Sequence, residues 1–71
     1  MSDPLVVNPK HYTSHPSGIE CITIAQHFNF NVGNAIKYLW RCGIKDEHTK
    51  IQDLEKAQQY IQFEINKLKS L

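Results

Sequence analysis

The stretch from Gly33 to Lys45, GNAIKYLWRCGIK, gathers side chains suited to holding an anion. Wound as a helix at about 100° per residue with Asn34 at zero, it puts Lys37 near 300°, Arg41 near 340° and Tyr38 near 40°, so an amide, a phenol and two cations share roughly a 100° arc. On the same geometry Val32, Ile36, Leu39 and Trp40 fall between about 140° and 240°. One face reads as core and the other as a polar stripe. Most such stripes are simply solvated, but this one contains no acid. Lys37 and Arg41 repel one another across a helical turn by roughly 0.2 to 0.5 kcal/mol, where a Glu at either place would have stabilised the helix. An external phosphate would gain from both, because Arg offers a planar fork and Lys a compact charge. Each contact grows from about 1 kcal/mol in bulk water to about 4 kcal/mol at an effective dielectric of 20. Asn34 and Tyr38 add an amide and a ring beside those charges, as a nucleotide with base and phosphate requires.

A second set stands further along the chain. Asp53, Lys56 and Tyr60 are spaced by three and four, off the line of Ile51, Leu54 and Ile61, and form another polar stripe. Asp53 and Lys56 can satisfy each other; facing the first stripe, Asp53 can instead hold Arg41 or a magnesium ion. His11 and Tyr12 lie in a segment suited to closing over a ligand, since binding residues concentrate on loops. Glu20 fits the first turn of a helix, where the dipole favours an acid. Trp40, Phe28, Phe30 and Phe63 read as core or interface.

The elements that must position these residues follow from punctuation and period. Residues 1–18 carry Pro4, Pro9, Pro16 and Gly18 and read as an extended arm ending in a turn; residues 19–71 form the helical domain. In IECITIAQHF, Ile19, Ile22, Ala25 and Phe28 keep a loose helical period, although Ile22, Thr23 and Ile24 would serve a strand equally; the segment is read as a helix. NFNVGN interrupts it, and Asn31 or Asn34 caps the next helix, Val32 to Cys42, which Gly43 closes. Thr49 followed by Gln52 resembles a capping box. The third helix then runs without Gly or Pro to Leu71. Its Ile51, Leu54, Ile61, Ile65 and Leu68, with Gln58 in the missing slot, alternate as a heptad seam does and fit either intrachain packing or a partner's helix. The expected product is an all-α domain of three helices.

Composition bounds the possibilities. A chain of 71 residues makes one small domain that buries only about 60% of its unfolded surface. Such domains lean on disulfides, a metal or self-association. Cys21 and Cys42 are the only cysteines, and MSDPLVV lacks the basic stretch and apolar run of a secretory signal, so both thiols are read as reduced and the protein as cytoplasmic. The histidines and cysteines show no metal-ligand spacing. Self-association remains, as a homo-oligomer. Eight Lys and Arg against seven Asp and Glu give a net charge of +1, too little for a phosphate-tracking nucleic-acid groove. The excess is local: Lys10, Lys37, Arg41 and Lys45 face only Asp3 and Glu20 in residues 1–45. No apolar run approaches the roughly 18 residues of a membrane span.

HY, IEC, GNAIKYLWRCGIK and DLEKAQQYI together resemble the motifs of the SaV-like family of short phage-encoded domains, long of unknown function, which includes the nucleotide kinase of a T-odd coliphage. The resemblance spans about residues 8–63 and centres on Asn34, Lys37, Tyr38, Trp40, Arg41, Lys45, Asp53, Leu54, Lys56, Ala57 and Tyr60. It implies an oligomeric phage protein acting in the host cytoplasm. Its kinase members phosphorylate deoxynucleoside monophosphates without a Walker P-loop, and this chain too lacks G-x-x-x-x-G-K-[ST]. The chain is hardly more than the shared domain, so the resemblance supports nucleotide binding more than phosphoryl transfer, which needs two nucleotides in line, Mg2+ and exclusion of water. The expected activity is binding of a mono- or cyclic nucleotide at or near a subunit interface, with His11, Tyr12, Asn34, Lys37, Tyr38, Arg41, Lys45, Asp53, Lys56 and Tyr60 as the site. The alternatives are a non-catalytic sponge for a host defence signalling nucleotide and a small helical adaptor for another protein.

Overall fold

The structure is a computed structural model, and it describes residues 15–44 and 47–71. Three α-helices carry the described chain: α1 at Cys21–Ala25, α2 at Phe30–Arg41 and α3 at Lys50–Lys69, the last entered through a 3₁₀ turn at Glu47–Thr49. No strand occurs among the described residues, so the ambiguous Ile22-Thr23-Ile24 resolves to helix and the fold is all-α. His11, Tyr12 and Lys45 lie outside the described residues.

The chain enters through a turn at His15–Gly18, where the Gly18 N–H donates to the His15 carbonyl at 2.9 Å. Gly18 takes φ 72° there, a left-handed backbone that Gly adopts without steric cost. Glu20 stands one place before α1, at its N-cap, rather than inside the first turn. The helix is short and turns Cys21 inward, while Ile22 is left exposed. Gly33 is where α1 meets α2: a Cβ at that position would lie 3.1 Å from the Ala25 carbonyl oxygen, so the missing side chain sets their approach.

Asn29 caps α2. Its side-chain oxygen accepts from the Val32 N–H at 2.9 Å with extended backbone at φ −69°, ψ 174°, which places neither Asn31 nor Asn34 at the cap. The helix therefore begins two residues earlier than the sequence suggests. Gly43, at φ 77°, closes it as expected, with the Ile44 N–H donating to the Arg41 carbonyl at 3.0 Å. The expected capping box at Thr49 does not form as a side-chain cap. Thr49 has ψ near 4°, a continuation of the 3₁₀ turn, whereas a capping side chain reaches the helix amides from extended backbone.

α2 and α3 pack antiparallel. Asn29 and Asn31 at the start of α2 meet Glu64 late in α3, and Arg41 at its end meets Asp53 early in α3. The crossing is built on small side chains, since Ala35 and Ala57 are buried at 4% and 1% exposure. Two alanines let the helix axes approach closely, but they leave the bulky residues to the flanks. As a result Ile51, Leu54, Ile61, Ile65 and Leu68, the whole apolar seam of α3, remain exposed. Among the described residues no large side chain is fully buried, and the buried apolar ones are Cys21, Ala35 and Ala57.

Candidate functional site

The packing divides the α2–α3 hairpin into two flanks of opposite chemistry. On one, Tyr38 is the hub. Lys37 Nζ lies 5.3 Å from its ring centre, Lys56 Nζ 5.4 Å and Arg41 Cζ 5.9 Å. All three distances fall within the roughly 6 Å over which a ring's negative face attracts a cation. The ring thus partly offsets a repulsion that the two helices bring upon themselves by converging there. Lys37 and Arg41 come from α2 and Lys56 from α3, so the cluster exists only when the hairpin is formed.

Among the described residues one carboxylate pairs with this cluster, and it pairs with Arg41 alone. Asp53 is buried, its side chain 5% exposed, and its Oδ1 lies 3.8 Å from Arg41 Nε. That distance is an ion pair without a hydrogen bond. Arg41 Nε and Asp53 Oδ2 are both buried and neither has a hydrogen-bond partner. A buried polar group left unpaired costs about 1 to 3 kcal/mol, so the fold carries a locally incomplete polar network beside its cations. Lys37 and Lys56 have no carboxylate partner among the described residues. On the side of α1, burial pushes the Cys21 thiol up, against the smaller opposing pull of the Lys37 charge. A raised thiol stays protonated and is a poor nucleophile.

Aromatic rings extend the same flank. Tyr38 and Tyr60 stack with centroids 5.9 Å apart at 17°, and Tyr60 meets Phe30 at 6.0 Å and Phe63 at 5.7 Å edge to face. Phe30 and Phe63 are exposed, at 74% and 46%, and neither belongs to the core. For Phe30 the signal was present in the sequence, since it stands four residues before Asn34 and seven before Lys37, on the arc of the polar stripe.

Of the expected site residues, the structure brings Lys37, Tyr38, Arg41, Asp53, Lys56 and Tyr60 together. Asn34 is partly consumed inside its own helix, where Nδ2 donates to the Phe30 carbonyl at 2.8 Å. His15, absent from the expected set, stacks on Trp40 with centroids 4.6 Å apart and ties the entering turn to α2; its Nδ1 also accepts from the Ser17 N–H at 3.1 Å. Among the described residues no three His, Cys, Asp or Glu side chains gather as a metal site.

The opposite flank is apolar. A groove of about 270 Å³ runs between Val32, Ala35, Ile36 and Leu39 of α2 and Ile61 and Ile65 of α3. Glu64 stands at its edge, accepting from Asn29 Nδ2 at 3.0 Å and Asn31 Nδ2 at 3.1 Å and pairing with Lys67 at 3.1 Å. These partners, Asn31 foremost, hold its carboxyl below the usual carboxylate range.

What this geometry defines is a small all-α domain with a cationic, aromatic flank and an apolar one. The chain matches, over residues 6–62, the family described as Protein of unknown function (DUF3310), and it belongs to that family. No curated protein and no solved structure matches it. Among the described residues no helix is long and apolar enough to cross a membrane.

Proposed function

We propose that the Tyr38 flank binds a nucleotide, with Lys37, Arg41 and Lys56 on the phosphate and the exposed rings of Phe30 and Phe63, beside the half-buried Tyr60, offering the base a stacking surface. The observation that carries this reading is the convergence of three cations on one ring where, among the described residues, a single carboxylate pairs loosely with Arg41 alone. A phosphate would supply the negative charge that the protein withholds, and Asp53 would keep the Arg41 fork aimed at it. Aromatic stacking is worth about 1 to 3 kcal/mol per base and tolerates any base, so phosphate and ring together give affinity before any base-specific contact.

Calorimetric titration with mono- and cyclic nucleotides at low and moderate salt tests the proposal. Binding should weaken as salt rises, because exposed ion pairs are screened over about 8 to 10 Å. Lys37→Ala combined with Lys56→Ala should reduce affinity at least tenfold, and unchanged affinity in that variant would remove the site.

The phage setting and a nucleotide-kinase-like activity belong to this proposal through the family resemblance. Asp53, the carboxylate at the cluster, is engaged in holding Arg41, which favours binding over phosphoryl transfer by this hairpin alone. Incubation with ATP, Mg2+ and each deoxynucleoside monophosphate separates the two: diphosphate product establishes a kinase, and recovery of unaltered nucleotide from the denatured protein establishes a sponge.

A further inference from the structure

We propose that two copies of this chain pair through the apolar flank, with the α3 helices antiparallel about a two-fold axis beside Gln62. The inference concerns the face turned away from the cations and does not rest on the nucleotide reading.

The geometry of α3 carries it. At about 100° per residue with Ile61 at zero, Asp53, Ala57, Tyr60 and Glu64 fall between roughly 260° and 320°, the side that packs on α2. Ile51, Leu54, Gln58, Ile65 and Leu68 fall within roughly −20° to 80°, about a quarter-turn away. That stripe is 38% to 71% exposed at its five apolar positions, and Ile61 and Ile65 form one wall of the groove whose other wall is Val32, Ile36 and Leu39. Contiguous apolar surface of this kind marks an interaction site. A domain whose buried apolar residues, among those described, are two alanines and a cysteine gains from having that surface covered.

The occupant is identified by self-complementarity. Ile61 and Ile65 both line the groove and belong to the stripe, so a two-fold operation presents each copy with the residues that fill the other, as an isologous interface requires. The charges along the outer edge of the stripe agree. Glu55, Gln62 and Lys69 recur every seven residues on that edge, all three exposed, and neither Glu55 nor Lys69 is in an ion pair among the described residues. Antiparallel pairing about Gln62 sets Glu55 of each copy opposite Lys69 of the other and Gln62 opposite Gln62. Ile61 then meets Ile65 across the axis, and Leu68 meets Gln58. A parallel arrangement would put these two edges on opposite sides of the seam, and Glu55 would not reach Lys69.

Sedimentation velocity on the full chain across the micromolar range tests this. The wild type should sediment as a dimer, and Ile65→Glu, with helicity checked by circular dichroism, should shift it to monomer. Because a charge on the apolar flank can unfold the chain, the surface variants decide the register. Glu55→Lys alone and Lys69→Glu alone should each weaken pairing at least several-fold. Mixing those two chains, or combining both substitutions in one, should restore it. A wild type that stays monomeric throughout, or a dimer indifferent to these charge reversals, would overturn the proposal.

Discussion

Glu64 is the residue whose chemistry is most exposed to a simple test. It joins the start of α2 to the end of α3 through Asn29 and Asn31, and those bonds favour its ionised form. A carboxyl lowered in the folded state contributes stability above its unfolded value and loses that contribution as pH falls through the folded value. The wild type should therefore lose stability on acidification from the ordinary Glu range downward. Glu64→Gln should be the less stable chain at pH 7, with the gap closing as pH falls; denaturant midpoints measured at pH 7, 5 and 3 read it directly. At the other flank, Asp53 and Lys56 separate fold from binding. Removing one partner of a wholly buried, hydrogen-bonded ion pair costs about 3 to 5 kcal/mol. Asp53 and Arg41 lack the hydrogen bond and Arg41 keeps 18% exposure, so Asp53→Asn should cost about 1 to 2 kcal/mol. Lys56 is exposed and its one contact at the site is with the Tyr38 ring, so Lys56→Ala should leave stability within about 0.5 kcal/mol while weakening nucleotide affinity. Paired melts and titrations of the two variants check both.

The elements show where punctuation is legible and where it is not. Asn29→Ala should lower stability by about 1 kcal/mol through the lost cap, with the broken bond to Glu64 adding to it, and the melting midpoint should fall by at least about 4 to 8 °C. Asn34→Ala should be close to neutral, because that side chain only doubles on a carbonyl of its own helix. A thermal scan of the two variants distinguishes the caps. Three asparagines within six residues are equivalent in sequence; the turn that ends α1, where the Phe28 N–H donates to the Ala25 carbonyl at 3.1 Å, decides which of them meets the helix start. Gly43 was legible because only a left-handed residue closes a helix that way. The polar stripe was legible for the same kind of reason, since helical period fixes which side chains share a face before any packing occurs. The seam of α3 was read correctly as a stripe, but periodicity does not say what covers it. Ala35 and Ala57 take the intrachain contact, and the bulkier stripe is turned outward. For Phe30 and Phe63, read as core or interface, exposure removes the core alternative, which rested on the default that sends large apolar side chains inside.

At the scale of the whole molecule, the two flanks divide the labour of a chain too small to do both jobs with one surface. On α2 the groove residues Val32, Ile36 and Leu39 stand roughly 100° to 200° round the helix from Lys37 and Arg41. On α3, Lys56 lies about 120° or more from every position of the exposed stripe. Surfaces this far apart, with no shared side chain, couple weakly: substitutions beyond about 7 to 10 Å without common partners add almost independently. Pairing and anion binding should then be separable. Glu55→Lys should weaken the dimer and leave nucleotide affinity per chain within about twofold, whereas Lys37→Ala with Lys56→Ala should abolish most binding and leave the sedimentation coefficient unchanged. Calorimetry and sedimentation on the same two preparations give all four numbers. A loss of nucleotide affinity in the pairing variant would mean instead that the second copy completes the anion site, and that the cationic flank reaches further round the hairpin than α2 and α3 alone provide.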